Sequence, residues 1–169
     1  VLDKKDAELI LNGSIPGWDA KNRVISRIPK YYCKVGEKAF KDNGSIEYVG
    51  IPVSVKEIAN EAFANCANLE VFASKYIPKF GNKAFDGCTK LEKVAACSEG
   101  GSKKIMAEQN LAEVFSNCPN FKGIELFPEH DYVNDIAFLT IDQVKSWDSK
   151  NFGGIIISNV GIVLAIILV

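Results

Sequence analysis

Apolar positions in the middle of this chain recur in a fixed phrase. Ala39-Phe40, Ala62-Phe63, Ala84-Phe85 and, altered, Val114-Phe115 open it. Four residues after each Ala or Val stand Asn43, Cys66, Cys88 and Cys118. Three further on come Ile46, Leu69, Leu91 and Phe121, and three further again Val49, Phe72, Val94 and Ile124. The phrase starts lie 23, 22 and 30 residues apart. The spacing predicts a short helical turn and a short strand in every repeat. In the turn, the small Ala permits close packing and Phe fills the interior. The strand carries spaced apolar residues: Ile46, Val49 and Ile51 in one repeat, Phe121, Ile124 and Leu126 in the last. Pro52 and Pro128 close these strands, and a further apolar pair precedes each turn (Tyr32 and Val35, Val55 and Ile58, Ile77 and Phe80).

A period of 20–29 residues with Leu-type positions and an Asn/Cys slot marks a leucine-rich solenoid. The expected fold is α/β: a right-handed solenoid of about four rungs, each a short parallel strand plus a short helical turn, with non-repeat caps at both ends. The expected division is an N-terminal cap over 1–31, the solenoid over 32–128, and a C-terminal cap or assembly segment over 129–169.

The two ends carry their own patterns. Residues 1–13 read as a short amphipathic helix, with Asp3 and Asp6 early, Leu9, Ile10 and Leu11 apolar, and Asn12-Gly13 as its stop. It would cover the first rung, which has no neighbour. The fourth repeat is stretched by Ser98-Glu99-Gly100-Gly101-Ser102-Lys103-Lys104, a loop composition. Leu139–Trp147 is amphipathic, and Trp18-Asp19-Ala20-Lys21-Asn22 is echoed by Trp147-Asp148-Ser149-Lys150-Asn151. The last 15 residues, Ile155–Val169, are nearly all apolar, with Ile155, Ile156, Ile157, Ile162, Val163, Leu164, Ile166 and Ile167 as cap or assembly positions. Three readings stand open: a strand pair turning at Ser158–Gly161 that caps the solenoid, a membrane anchor truncated at Val169, or a strand that pairs with another copy.

Composition narrows the function. With 169 residues, 47% hydrophobic and 24% charged, the chain has enough apolar sequence to bury a core. The net charge is −1 and no basic stripe runs through the sequence, which argues against nucleic acid as a partner. The chain begins at Val1, so a processed protein or a fragment is expected. Five cysteines, an odd number, argue against a disulfide scaffold. Asn43, Cys66, Cys88 and Cys118 share one slot and read as a reduced structural ladder, although adjacent rungs about 4.8 Å apart leave a bridge open. Asn43 is accordingly expected to be buried and unglycosylated, whereas Asn12, in Asn12-Gly13-Ser14, is a glycosylation candidate.

Catalytic, cofactor and metal sites find no support. The single His, His130, lies in Pro128-Glu129-His130-Asp131 and reads as a loop residue. Gly100-Gly101-Ser102-Lys103 lacks the spacing of a phosphate loop. Asp131, Asn134 and Asp135 do not fit a calcium loop. The expectation is no enzyme and no cofactor.

The template of Ala-Phe, the Cys slot and the Ile-Pro strand end resembles the BspA-like leucine-rich repeats of bacterial and protist surface proteins, over residues 32–128. The resemblance implies a curved stack, an extracellular or cell-surface setting, and protein recognition or adhesion in place of catalysis. Two alternatives remain: a self-assembling subunit of an extracellular filament or layer that uses the apolar C-terminal strand, and the ectodomain of a membrane-anchored adhesin. Outward strand positions place Tyr48 and Lys93 in one column and Glu125 in the next, with Glu47, Glu70 and Glu92 just upstream, and these six are the candidate partner-binding residues.

Overall fold

Val49, Phe72, Val94 and Ile124, one from each repeat, stand side by side on four neighbouring parallel strands. The structure, a computed structural model, describes residues 1–97, 104, 108–127, 155–158 and 161–163. Its elements run α1 (Lys4–Leu11), β1 (Trp18–Asp19), β2 (Val24–Ile25), β3 (Lys34–Val35), β4 (Tyr48–Ile51), β5 (Glu57–Ile58), β6 (Val71–Ser74), β7 (Lys79–Phe80), β8 (Lys93–Cys97), α2 (Leu111–Val114), β9 (Ile124–Phe127), β10 (Ile155–Ser158) and β11 (Gly161–Val163). One sheet has the order β1-β2-β4-β6-β8-β9-β10-β11, and a second, short sheet has the order β3-β5-β7. The long sheet is parallel from β2 to β9 and antiparallel at both ends, where hairpins begin and finish it. The chain therefore winds as a solenoid, each turn visiting the long sheet, the short sheet and an Ala-Phe segment. The second apolar pair also falls in register, with Val35 beside Ile58 and Ile58 beside Phe80.

The Ala-Phe segments differ from the helical turn expected of them. In the first three rungs they are successions of i→i+3 turns, such as Ala62 N to Ala59 O, Ala64 N to Glu61 O and Cys66 N to Phe63 O. Two residues per rung adopt left-handed backbone: Lys38, Glu61 and Lys83 before the Ala, and Asp42, Asn65, Gly87 and Asn117 before the slot. That conformation interrupts a helix and turns alternate N–H groups toward the next rung. Lys38, Phe40 and Asp42 donate to Asn60, Ala62 and Ala64; Glu61, Phe63 and Asn65 donate to Asn82, Ala84 and Asp86. The segment is thus a third hydrogen-bonded ladder. In the last rung Val114 N and Phe115 N turn inward to Asn110 O and Leu111 O instead, which closes α2.

Inside these three sides the phenylalanines form a continuous column. Phe40–Phe63, Phe63–Phe85 and Phe85–Phe115 stack with centroids 5.2, 5.5 and 5.2 Å apart and nearly parallel planes. Phe72 and Phe80 meet it edge-on. Ala62 and Ala84 are fully buried beside it, and a larger side chain there would push neighbouring rungs apart. At Gly81 a Cβ would lie 2.5 Å from Asn60 N, a local clash that favours glycine there, while the equivalent position one rung earlier is Ala59.

The N-terminal residues cap the first rung. Asp3 accepts from Asp6 N to start α1, and Ala7 and Ile10 are buried on the solenoid. Leu2 adds a bridge beside Val35 on the short sheet. Trp18-Asp19-Ala20-Lys21-Asn22 proves to be a hairpin turn: Asp19 Oδ1 accepts from Lys21 N and Asn22 N, and Asn22 Nδ2 donates to Asp19 Oδ2. Those bonds, the Asn22 side chain first, hold the Asp19 carboxyl below its usual range. The hairpin hands the chain to β2, so the strand ladder already runs at Val24, within the segment read as an N-terminal cap. At the far end β10 pairs antiparallel with β9, and β10 and β11 turn at Ser158–Gly161. Among the described residues no helix is long and apolar enough to cross a membrane. The loop over 98–103, the stretch Leu139–Trp147, the second Trp-Asp phrase, and Leu164, Ile166 and Ile167 lie outside the described residues.

The stack makes two predictions. Phe63→Ala, which removes the ring touching both neighbours, lowers stability by about 3–5 kcal/mol in urea unfolding. Ser74 is 2% exposed and its hydroxyl has no hydrogen-bond partner. Ser74→Ala therefore raises stability by about 1 kcal/mol, read as a higher urea midpoint at unchanged slope; a lower midpoint would contradict this reading.

Candidate functional site

The long sheet presents one face to the Phe column and the other away from it. Alternation along the strands places Tyr48, Val71 and Lys93 in one column of that second face, and Gly50, Ala73, Ala95 and Glu125 in the next. The columns match the sequence register, but their exposure does not match a docking surface. Tyr48, Val71, Ala73 and Ala95 are all 0% exposed. Tyr48, a candidate partner contact by sequence, is thus buried rather than outward and open. Its ring runs back along its own strand, and a Cβ on Gly50 would come within 2.8 Å of the Tyr48 hydroxyl. Burial pushes the phenol well above its usual titration range.

The charged candidates separate into tied and open groups. Glu47, Glu70 and Glu92 stack on consecutive rungs: Glu70 N donates to Glu47 O, and Glu92 N to Glu70 O. At one end Arg23 clamps Glu47 at 2.6 Å while also donating to Ser45 O and Gly44 O. Glu92, by contrast, is exposed. Lys93 Nζ lies 3.6 Å from Glu125 Oε2, both half-buried. None of Tyr48, Glu70, Lys93 and Glu125 is a free group.

The Asn/Cys slot is a ladder with a direction. Cys66, Cys88 and Cys118 donate their thiols to the Phe40, Phe63 and Phe85 carbonyls of the preceding rung, at 3.2, 3.1 and 3.0 Å. Asn43 has no preceding Ala-Phe carbonyl to reach. Its Oδ1 instead accepts from Ser45 N and Ile46 N and closes its own turn. It is half-buried, more open than the buried position expected of it. Asn12 is exposed, its Oδ1 engaged by Ser14 N. Cys33, Cys66, Cys88 and Cys118 are all free thiols. Burial pushes Cys66 up to about 12 and Cys118 to about 11, and raises Cys88 as well. These thiols stay protonated at neutral pH and are poor nucleophiles.

Among the described residues no group of three or more His, Cys, Asp or Glu is placed to hold a metal ion. His130 lies outside the described residues, as do Asn134 and Asp135. Residues that sequence reading passed over stand at the corner between the two sheets. Tyr32 N donates to Pro29 O, and Val55 N to Pro52 O, so the same turn recurs. The turn tips are Lys30-Tyr31, Val53-Ser54 and Lys75-Tyr76. The repeated Lys-Tyr pair was the available signal.

Raised thiol values set a pH dependence. Above the ordinary thiol value near 9.0, the unfolded chain releases protons that folded Cys66 retains to about 12. Stability is full below pH 9 and falls as pH rises toward 12. Cys66→Ala is expected to reduce the loss between pH 9 and 10.5 by about 1–2 kcal/mol in urea titrations. At pH 7.5, iodoacetamide alkylates Cys33 rapidly and leaves Cys66 and Cys88 unmodified until denaturant is added, as read by peptide mass mapping.

The BspA type leucine rich repeat region family matches residues 33–155 in 6 copies, and the chain belongs to that family. No curated protein and no solved structure gives a significant match. Repeat domains of this kind serve protein–protein interaction in general, are generally non-catalytic, and are typically surface-associated.

Proposed function

We propose that this BspA-type repeat chain is a non-catalytic recognition domain displayed at a cell surface, where it binds a protein partner and supports adhesion. The stacked carboxylates carry the reading. Glu47, Glu70 and Glu92 sit on consecutive rungs joined by backbone bonds, and like charges held opposite one another destabilise a sheet. Arg23 relieves the charge at Glu47. A partner surface bearing Lys or Arg would relieve it at exposed Glu92, the open end of the column, with Lys93 and Glu125 at the margin of the contact. In this proposal 1–31 and 129–169 serve as caps of the solenoid over 32–128, and Asn12 is an exposed position for a glycan.

A second reading is self-association into a filament or layer. It is favoured by one observation: the long sheet begins with β1 and ends with β11, so two terminal strands stand at opposite ends of one sheet. Sedimentation of the intact chain across the micromolar range separates the readings, since a monomer throughout rejects assembly.

Antibody against the chain is expected to stain intact cells of the source organism as strongly as permeabilised ones; staining only after permeabilisation rejects surface display. Soluble chain is expected to compete with attachment of those cells to a target cell layer. Glu70→Lys with Glu92→Lys is expected to compete at least tenfold less well while keeping the same circular dichroism. Equal competition removes the Glu column as the contact.

A further inference from the structure

The corner between the two sheets is chemically unlike the rest of the chain. Residues 30–34, 53–57 and 75–79 form equivalent segments of three consecutive rungs, set by the register of Lys34, Glu57 and Lys79. They contain Lys30, Lys34, Lys56, Lys75 and Lys79 against one acid, Glu57, in a chain whose net charge is −1. Glu57 is taken by Lys34 at 2.8 Å. Among the described residues no carboxylate pairs with Lys30 or Lys56. Asp6 of the N-terminal helix approaches from outside and faces Tyr32.

Aromatic rings stand among these ammonium groups. Tyr31 is 70% exposed, its ring 4.6 Å from that of Tyr32 beneath it. Val53, at the next turn tip, is 42% exposed. Lys56 Nζ and Lys75 Nζ reach the Tyr76 ring at 5.9 and 5.4 Å from its centroid. Tyr31 and Tyr76 occupy the same turn position two rungs apart, about 10 Å along the solenoid axis. The first two turns are closed by backbone, through Pro29 O and Pro52 O, and anchored below by buried Tyr32 and Val55. The exposed ring of Tyr31 on this base is not explained by packing, and Tyr76 is half-buried at the equivalent position.

We infer that this corner is a binding ridge for an acidic polysaccharide, with Tyr31 stacking on a sugar ring and the exposed Lys30 and Lys56 holding its carboxylate or sulfate groups. The physical case lies in the shape. A corner of tight turns is convex, whereas a protein partner's anchor residues require a desolvated pocket to contribute strongly. A polysaccharide needs no pocket: the apolar face of a pyranose lies flat on an exposed ring, and its anionic substituents meet ammonium groups at the ring's margin. The spacing of about 10 Å between equivalent tyrosines is close to the disaccharide repeat of a β-linked chain. The ridge is separate from the Glu column and does not depend on the protein-recognition reading.

The experiment is calorimetric titration of the intact chain with heparin, hyaluronan, neutral dextran and poly-L-glutamate, at low and high salt. Binding to at least one acidic polysaccharide, weakened by salt, is expected, with none to dextran. Lys30→Ser with Lys56→Ser is expected to weaken it at least tenfold, whereas the exposed control pair Lys90→Ser with Lys122→Ser is expected to leave it within twofold. Tyr31→Ala leaves the charge unchanged and, at an exposed position, is expected to leave the fold intact. It should weaken polysaccharide binding at least fivefold and poly-L-glutamate binding not at all. No binding to either acidic polysaccharide, or equal binding of poly-L-glutamate with no effect of Tyr31→Ala, overturns the inference, the latter in favour of an acidic protein segment.

Discussion

Each rung must meet the next at one backbone spacing on three sides at once. The strand ladder through Val49, Phe72, Val94 and Ile124 sets it on the first side. The short sheet through Val35, Ile58 and Phe80 sets it on the second. The Ala-Phe segments set it on the third through Phe40 N to Ala62 O, Phe63 N to Ala84 O and Phe85 N to Val114 O. Three ladders in phase leave little room for a rung to tilt. Inside them the only side chains that fit are those whose contacts repeat at the same interval, and parallel aromatic rings 5.2 to 5.5 Å apart do so. The alanines at 62 and 84 follow from the same spacing.

The slot residue shows how direction enters a repeating structure. A thiol there is a weak donor, and the carbonyl it reaches belongs to the rung before. The first rung has no such carbonyl, and there the chain uses Asn, whose oxygen accepts from its own turn. At the other limit Gln109 does a comparable service. Its side-chain oxygen accepts from Phe80 N at 2.6 Å, where a further short-sheet strand would have supplied a carbonyl. Asn43 closes its own turn in the Ala-Phe segment and Gln109 meets the last strand of the short sheet, each through a side-chain amide oxygen.

Strand register was readable from sequence because it follows from counting: Ile46, Leu69 and Leu91 fall where the phrase puts them and are fully buried. The turn conformation was harder to read. Asp42, Asn65, Gly87 and Asn117 share a column of residue types that accept left-handed backbone, and that column, once noticed, predicts turns in place of helix. Lys38, Glu61 and Lys83 carry no such signal, because long side chains rarely take that conformation by choice and do so here only because the ladders require it. Alternation likewise told which face Tyr48 occupies. It could not tell that the face is closed to solvent, since burial depends on what else packs there and not on the strand's own period.

That difference explains where variation is free. A strand position is fixed by register and by two sheet neighbours, so its side chain answers to packing. A corner tip is held by a backbone bond, Tyr32 N to Pro29 O or Val55 N to Pro52 O, and at those two tips Tyr31 and Val53 remain exposed. The fold therefore tolerates Lys-Tyr, Val-Ser and Lys-Tyr at three equivalent tips without any change in the rungs. In a solenoid, positions that repeat in type report the scaffold. Positions that repeat in place but differ in type are those the scaffold leaves to other demands, and the exposure of Tyr31 beside Lys30 answers a demand that stability does not make.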